Sequence, residues 1–313
     1  MSKISILGAG NVGAAIAYAL IVGQTATRII LIDINKDKAE GEAMDMRQGI
    51  PFFGSAKVEL GDYEDITGSD IVIVALGVGR KPGQSRLDLA QININIAKSS
   101  IPMAYKYAPD AVYIIVTNPV DVVTYTAITS CGIPENQVIG TGTMLDSGRL
   151  RAILGDRLHL SYSNVHAYVL GEHGDSSVIC WSLATAMGMS IEKDYQFLSD
   201  IGFDFPAEKK QIEDYVRSSG AEIIARKGST QYAIALSVKQ ICEAIFNNLN
   251  VCLPISGYVH NRYGINDVCL SLPLVVGRNG IRRAINPHLR IEEEEALVHS
   301  SEVLKSVIRS LKL

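Results

Sequence analysis

The sequence predicts an α/β protein in which a doubly wound parallel sheet is followed by a second domain of α+β character. In the first half, short apolar runs alternate with segments of helical periodicity, which is typical of a parallel sheet. The apolar runs are rich in Ile and Val at every position, as in strands that helices cover on both faces. After about residue 142 this alternation stops. We therefore expect two domains, residues 1–142 and residues 143–313, packed closely because no low-complexity or Gly/Ser-rich linker separates them.

Residue types and periodicity place the individual elements in order along the chain. In the first domain, strands are predicted at Lys3–Leu7, Arg28–Asp33, Asp70–Leu76, Ala111–Thr117 and Val138–Gly140, and helices at Val12–Val22, Lys36–Gln48, Leu87–Tyr107 and Val120–Ser130. In the second domain, helices are predicted at Leu145–Leu158, Ile212–Lys227, Tyr232–Phe246 and Glu292–Ser310, and strands at Val165–Leu170, Asn250–Tyr258 and Val268–Val276.

The composition excludes several classes of protein. Of the 313 residues, 47% are hydrophobic and 20% are charged, which predicts a packed core rather than a disordered chain. The net charge of −4 argues against general nucleic-acid binding, which needs a basic face. No apolar run reaches the ~18 residues of a membrane span, and we expect no targeting segment before the first strand. Five scattered cysteines without a Cys-x-x-Cys motif, and histidines without ligand spacing, predict reduced thiols, no metal site and a cytoplasmic location.

A glycine-rich turn joins the first strand to the first helix. It reads Gly8-Ala9-Gly10-Asn11-Val12-Gly13, and Asp33 ends the next strand. Gly8 would permit a tight turn, Gly10 the close approach of a pyrophosphate, and Gly13 close helix–sheet packing, while the helix N-terminus offers free N–H groups. Asp33 would accept hydrogen bonds from ribose hydroxyls and repel a 2′-phosphate, which favours NAD over NADP. This context predicts a Rossmann-type dinucleotide site; a glycine-rich turn of an unrelated α/β protein is the alternative.

Three polar clusters are candidates for the chemistry. His173 lies between glycines, Asp146 and Arg149 are three residues apart, and Arg80 and Arg86 lie in or beside a glycine-containing loop. One base, one carboxylate to orient it and several cations suit proton transfer on a carboxylic acid. Each cluster also has a simpler interpretation: a turn histidine, an i,i+3 salt bridge at a helix start, and a solvated loop.

The sequence resembles the L-lactate/malate dehydrogenase family over nearly its whole length. The matching stretches are Gly8–Gly13, Gly77–Leu89, Thr117–Asp121, Gly140–Arg151, Val165–Ser177 and Lys227–Ser237. The resemblance implies an NAD-dependent L-2-hydroxy acid dehydrogenase that acts on a small 2-oxo or 2-hydroxy carboxylic acid. It also implies a homotetramer, which composition alone does not indicate.

The resemblance further implies a role for each matching residue. His173 would be the general acid/base, and Asp146 would bind its far nitrogen and stabilise the imidazolium. Arg149 would hold the substrate carboxylate through a two-point fork. Arg86 would polarise the carbonyl when the loop Gly77–Ser85 closes as a lid. Substrate contacts are also implied for Arg80, Asn118 and Thr230. Cofactor contacts are implied for Gly8, Gly10, Asn11, Val12, Gly13, Asp33, Gly77, Thr117 and Asn118.

The substrate is the point on which the residues disagree. Arg80 stands six residues before Arg86, where the family has glutamine for pyruvate and arginine for oxaloacetate. A second substrate carboxylate needs a cation in a closed site, so Arg80 favours malate and oxaloacetate. Glu172, Trp181 and Thr230 instead resemble the lactate branch. We favour the lactate branch, with malate as the alternative.

Two residues suggest regulation by an anion. Arg151 and His166 match positions that, in similar bacterial enzymes, form an anion site between subunits for a sugar bisphosphate. The resemblance therefore raises fructose 1,6-bisphosphate as an effector. The alternative is that both are plain surface residues.

A non-catalytic NAD-binding protein is the alternative from another functional class, because a fold does not establish a function. The joint presence of His173, Asp146, Arg149 and Arg86 argues against it. A protein that only binds NAD would not need the whole set.

Overall fold

A computed structural model describes residues 2–52, 54–79, 85–194 and 202–313 of the chain. Its helices are α1 Asn11–Val22, α2 Lys36–Gly49, α3 Arg86–Tyr107, α4 Val120–Thr129, α5 Met144–Arg157, α6 Phe205–Lys227, α7 Tyr232–Phe246 and α8 Ile291–Ser310. Its strands are β1 Lys3–Leu7, β2 Arg28–Ile32, β3 Lys57–Leu60, β4 Ile71–Val74, β5 Val112–Ile115, β6 Val138–Gly140, β7 Val165–His166, β8 Val169–Leu170, β9 Val178–Ile179, β10 Thr185–Ala186, β11 Met189–Ser190, β12 Val251–Tyr258, β13 Cys269–Gly277 and β14 Gly280–Ala284.

The first six strands form the predicted doubly wound parallel sheet. Their order is β6-β5-β4-β1-β2-β3, and each neighbouring pair is parallel. Strands β4 and β5 are buried at every residue, as expected for strands with helices on both faces. The chain order reverses between β1 and β4, and in such sheets ligands bind in the crevice beyond the carboxyl ends of the strands at that point.

Strands from the second half of the chain extend the same sheet. β12 joins β6 through Ser256 opposite Gly140, and β13 and β14 follow in antiparallel order. A Cβ atom at Gly140 would lie 2.8 Å from the Cβ of Ser256, so the glycine permits this close approach. The sheet therefore has nine strands, although the sequence indicated only that strands occur in the second half.

Several element boundaries differ from the prediction. Five strands were not predicted, namely β3, β9, β10, β11 and β14, and the single expected strand Val165–Leu170 is two short strands, β7 and β8. Helix α6 begins at Phe205 rather than near Ile212, because the Asp204 side chain accepts a hydrogen bond from Ala207 N at 3.3 Å and a proline occupies the first turn. A side-chain cap and an early proline are strong helix-start signals.

The hydrophobic core has two parts. The larger surrounds the nine-stranded sheet, and the smaller packs between α5, α6 and the short strands around Trp181 and Phe205. The Trp181 indole N–H donates to Glu213 Oε1 at 2.8 Å, which fixes α6 against this core. None of the helices within the described ranges is long and apolar enough to cross a bilayer.

Candidate active site

The start of helix α5 is fastened to strand β8, and this brings two distant polar residues together. Thr143 Oγ1 donates to Val169 O at 2.5 Å, and Val169 N donates to Ser147 Oγ at 2.9 Å. Asp146 lies between these two anchors in the first turn of α5. His173 lies in the loop that follows β8. The side chains therefore meet although 27 residues separate them in sequence.

The Asp146 carboxylate contacts two basic side chains at once. Its Oδ2 lies 2.6 Å from His173 Nδ1, and its Oδ1 accepts a hydrogen bond from Arg149 Nη1 at 2.7 Å. All three side chains are largely buried. The i,i+3 salt bridge of the simpler interpretation is thus present, but it uses the same carboxylate that holds the histidine. Because Nδ1 is occupied, Nε2 is the nitrogen left for a substrate.

Burial and charge act on this group in opposite directions. Burial lowers the pKa of His173, but the Asp146 carboxylate and its hydrogen bond raise it, with a smaller contribution from Asp121, and the net pKa is above the usual 6.5. Burial also raises the pKa of Asp146, but His173 and Arg149 outweigh it and the net pKa is below 3.8. An anionic Asp146 beside an easily protonated His173 suits general acid catalysis near neutral pH.

The loop that carries His173 is held by its main chain. Gly171 has a φ of +84° and exchanges two hydrogen bonds with the main chain of Ser271, at 2.9 and 3.0 Å. The next amide donates to Ser300 Oγ of α8 at 2.8 Å. The His173 amide donates to Asp121 Oδ2 of α4 at 2.8 Å. Three elements that are distant in sequence thus determine where the imidazole lies.

The glycine-rich turn after β1 has the shape that a pyrophosphate requires. Gly8 has a φ of +98°, and a Cβ atom there would lie 2.6 Å from Ala75 O. A Cβ atom at Gly13 would lie 1.8 Å from Gly8 O, whereas one at Gly10 would meet nothing within 4 Å. Gly8 and Gly13 therefore permit close packing, and Gly10 borders open space in which a phosphate group fits.

The groups around this turn also fit a dinucleotide. Gly10 caps α1 without a side-chain hydrogen bond, which leaves first-turn amides available to an anion. Asn11 is exposed and Val12 half-buried in that turn. Asp33, at the end of β2, accepts hydrogen bonds from Ala9 N at 2.7 Å and Asn35 N at 2.9 Å, so its carboxylate is fixed beside the turn, where a ribose is expected.

The segment after β4 and the segment after β5 are joined by Asn93 of α3. Asn93 Oδ1 accepts from Val78 N at 2.9 Å, and Asn93 Nδ2 donates to Asn118 O at 2.8 Å. Gly77 has a φ of +134°, and a Cβ atom there would lie 2.9 Å from Asn93 Oδ1. Thr117 Oγ1 donates to Leu76 O at 2.6 Å. Gly77, Thr117 and Asn118 therefore lie together at the carboxyl edge of the sheet.

The two predicted arginines of the lid region, Arg80 and Arg86, lie at the edge of the described residues or beyond it. Arg80 lies outside the described residues, with the central part of the expected lid. Arg86 is the first residue of α3.

Thr230 lies half-buried between α6 and α7. Its neighbour Ser229 accepts a hydrogen bond from Asn11 Nδ2 at 3.3 Å, which joins this connection to the glycine-rich turn. Gly220 of α6 faces Arg149, since a Cβ atom there would lie 3.6 Å from Arg149 Nη2. Helix α6 therefore closes one side of the site around Arg149.

Arg151 and His166 line one cavity of about 490 Å³. Arg151 donates to Val165 O at 3.0 Å and to Tyr162 O at 3.1 Å, and His166 is exposed on β7. His166 and His173 do not lie on one strand. β7 and β8 are separate, and His173 lies beyond both, because the glycine after Leu170 turns the chain.

Sequence reasoning missed four residues that support the site. They are Asn93, Asp121, Ser271 and Ser300, and each uses its side chain to hold the main chain of another segment. Asp121 lies in the stretch Thr117–Asp121 that carried the family resemblance, so a signal for it was present. For the other three we find no local signal.

Comparison with known proteins yields consistent relatives. Residues 2–140 match the lactate/malate dehydrogenase NAD binding domain, and residues 143–312 match the lactate/malate dehydrogenase alpha/beta C-terminal domain. The L-lactate dehydrogenase of a Thermoanaerobacter species is 44% identical and covers 100% of both chains. L-lactate dehydrogenase 1 of Clostridium acetobutylicum is 42% identical and covers 99% of this chain and 98% of its own. The crystal structure of minor L-lactate dehydrogenase from Enterococcus mundtii in the ligands-bound form has a TM-score of 0.95 at 36% identity, and covers 100% of this chain and 99% of its own.

Proposed function

This chain belongs to the lactate/malate dehydrogenase family, and we propose that within it the protein is an NAD-dependent L-lactate dehydrogenase that interconverts pyruvate and lactate. NAD is its cofactor, since the family's NAD binding domain matches the first half of the chain. The observation that carries the proposal is the Asp146 carboxylate shared between His173 and Arg149. The relatives described above are named L-lactate dehydrogenases, which supports pyruvate rather than oxaloacetate as the substrate of this protein.

The catalytic step follows from the positions of these side chains. When bound, the reduced nicotinamide supplies the hydride for the substrate carbonyl carbon. His173 donates a proton from Nε2 to the carbonyl oxygen, while Asp146 holds Nδ1 and stabilises the imidazolium before the transfer. Arg149, whose side chain is largely buried, binds the substrate carboxylate through charge-assisted hydrogen bonds. Arg86 would polarise the carbonyl from the start of α3.

The same proposal assigns a location, an assembly and an effector. All five cysteines are free thiols, which supports a cytoplasmic location.

Two helices that pack together, α1 and α7, expose large apolar side chains, namely Tyr18, Val22, Tyr232 and Leu236. A homotetramer would cover such a surface. The cavity at Arg151 and His166 suits fructose 1,6-bisphosphate. Light scattering tests the homotetramer, and a monomer would contradict it. Pyruvate saturation curves with and without fructose 1,6-bisphosphate test the effector, and unchanged curves would contradict it.

The central test joins substrate choice to the catalytic residue. We expect kcat/KM with NADH to be larger for pyruvate than for oxaloacetate. His173→Asn should lower kcat by about 10³-fold and leave NADH binding intact, because the glycine-rich turn is untouched. His260→Asn is the matched control, since His260 also contacts a carboxylate at 2.6 Å, and kcat should not change. A larger kcat/KM for oxaloacetate would make Arg80 the determinant and the protein a malate dehydrogenase.

A further inference from the structure

A second buried carboxylate lies beneath the catalytic histidine, and the mechanism above does not use it. Asp121 is 3% exposed and occupies the first turn of α4. Its Oδ2 accepts the His173 amide at 2.8 Å. Within the described ranges this is the one hydrogen bond that fixes the main chain of His173 itself, because Ser271 and Ser300 hold the two residues before it.

Residues from three segments of the chain surround the buried Asp121 carboxylate. His173 and Glu172 face it from the loop, Ser256 from β12 and Cys269 from β13. Burial raises the pKa of Asp121 to about 6, although Ser256 and His173 oppose this effect. Its Oδ1 and the Ser256 hydroxyl are both buried and make no well-formed hydrogen bond with any residue in the described part of the chain. The carboxylate is therefore poorly solvated, and the basic side chain that acts on it is that of His173.

We propose that Asp121 is a positioning residue for proton transfer by His173. Its carboxylate holds the His173 amide, so that the imidazole stays against Asp146, and its negative charge adds to that of Asp146 in stabilising the imidazolium. The inference rests on the proposed function, because it requires His173 to be the proton donor.

The geometry gives Asp121 a task that Asp146 cannot perform. Asp146 binds the imidazole ring and fixes its tautomer. Its two oxygens contact the side chains of His173 and Arg149, so it does not hold the His173 main chain. Asp121 binds the backbone at the same residue, from a helix of the nucleotide-binding half. A residue held at both its ring and its main chain has little freedom to move from the productive position, and a displacement of about 1 Å can lower a rate by about 10²-fold.

Two substitutions separate the hydrogen bond from the charge. Asp121→Asn keeps an oxygen that accepts the His173 amide but removes the charge. We expect its alkaline limb for pyruvate reduction to move to lower pH, because the pKa of His173 falls without the second carboxylate. Asp121→Ala removes both and should lower kcat by about 10²-fold while the NADH Kd changes by less than about twofold, since the glycine-rich turn is untouched.

Glu293→Gln is the matched control. Glu293 is also a buried carboxylate in the first turn of a helix, and it also accepts a main-chain amide, that of Ser182 at 3.0 Å. Its neutralisation should lower thermal stability without moving the pH limb, because it lies in a separate hydrogen-bond group with Arg290. A shared shift in both variants would make the effect of Asp121 merely structural and overturn the proposal.

The decisive comparison is pH profiles of kcat/KM for wild type, Asp121→Asn, Glu293→Gln and His173→Asn. A limb that moves in Asp121→Asn alone, with turnover lost in His173→Asn, supports the proposal. An unchanged limb in Asp121→Asn overturns it while the proposed function stands. Retained turnover in His173→Asn overturns the proposed function itself. If Asp121→Ala does not fold, Asp121→Asn still decides the outcome.

Discussion

Two histidine–carboxylate pairs in this protein have the same separation but different surroundings. His173 and Asp146 are 2.6 Å apart, and so are His260 and Glu135. The exposed fractions of the side chains are 27% and 10% in the first pair and 64% and 51% in the second. Water and salt screen the exposed pair, whereas burial strengthens the electrostatic interaction in the other. The separation of two groups therefore does not by itself identify a catalytic pair.

The pairs also differ in what holds their members. Asp146 is fixed by the anchored start of α5 and carries Arg149 on its second oxygen, and His173 is held by its main chain as well as by its ring. His260 lies beside the Tyr258 ring at a centroid separation of 4.8 Å on the surface. Rigid support and a third charged group distinguish the first pair.

The same chemical change in the two carboxylates should have very different effects. Asp146→Asn should lower kcat by about 10³–10⁴-fold, because an amide neither fixes the productive tautomer nor stabilises the imidazolium. Glu135→Gln should leave kcat within about twofold, since an exposed pair contributes little. Steady-state kinetics with pyruvate and NADH would show this. Similar losses in both variants would remove the distinction between the pairs.

The third group of the buried pair can be tested by a charge-conserving substitution. Arg149→Lys should lower kcat/KM for pyruvate by about 10²-fold, because lysine lacks the planar fork that binds a carboxylate and Asp146 together. Arg157→Lys, in the same helix but in a surface ion pair with Glu208, is the control and should have no effect. Full activity in Arg149→Lys would mean that a point charge is enough.

The pH dependence should be the smallest effect of the three. The net pKa of His173 is above 6.5, so pyruvate reduction should be constant below pH 6.5 and fall as the pH rises through the raised pKa of His173, while lactate oxidation changes in the opposite direction. The stability that the raised pKa provides is fully present below 6.5 and is lost as the pH rises through the folded-state value. His260→Asn should leave this limb in place. A limb at or below 6.5 would show that Asp146 does not outweigh burial.

The sequence by itself determined the local features of this protein. Helix α7, the glycine-rich turn and strands β1 and β6 lie where periodicity and glycine spacing place them, because hydrophobic period and backbone freedom act over a few neighbouring residues. The family resemblance also identified His173, Asp146 and Arg149, which the structure brings together.

Only the tertiary structure decided how these parts are joined. The addition of β12 to β6, the pairing of His173 with Asp146, and the hydrogen bonds of Asp121 and Ser300 to consecutive amides all connect residues that are distant in sequence. No local period encodes such contacts. They depend on which buried polar groups find partners once the sheet and its helices have packed.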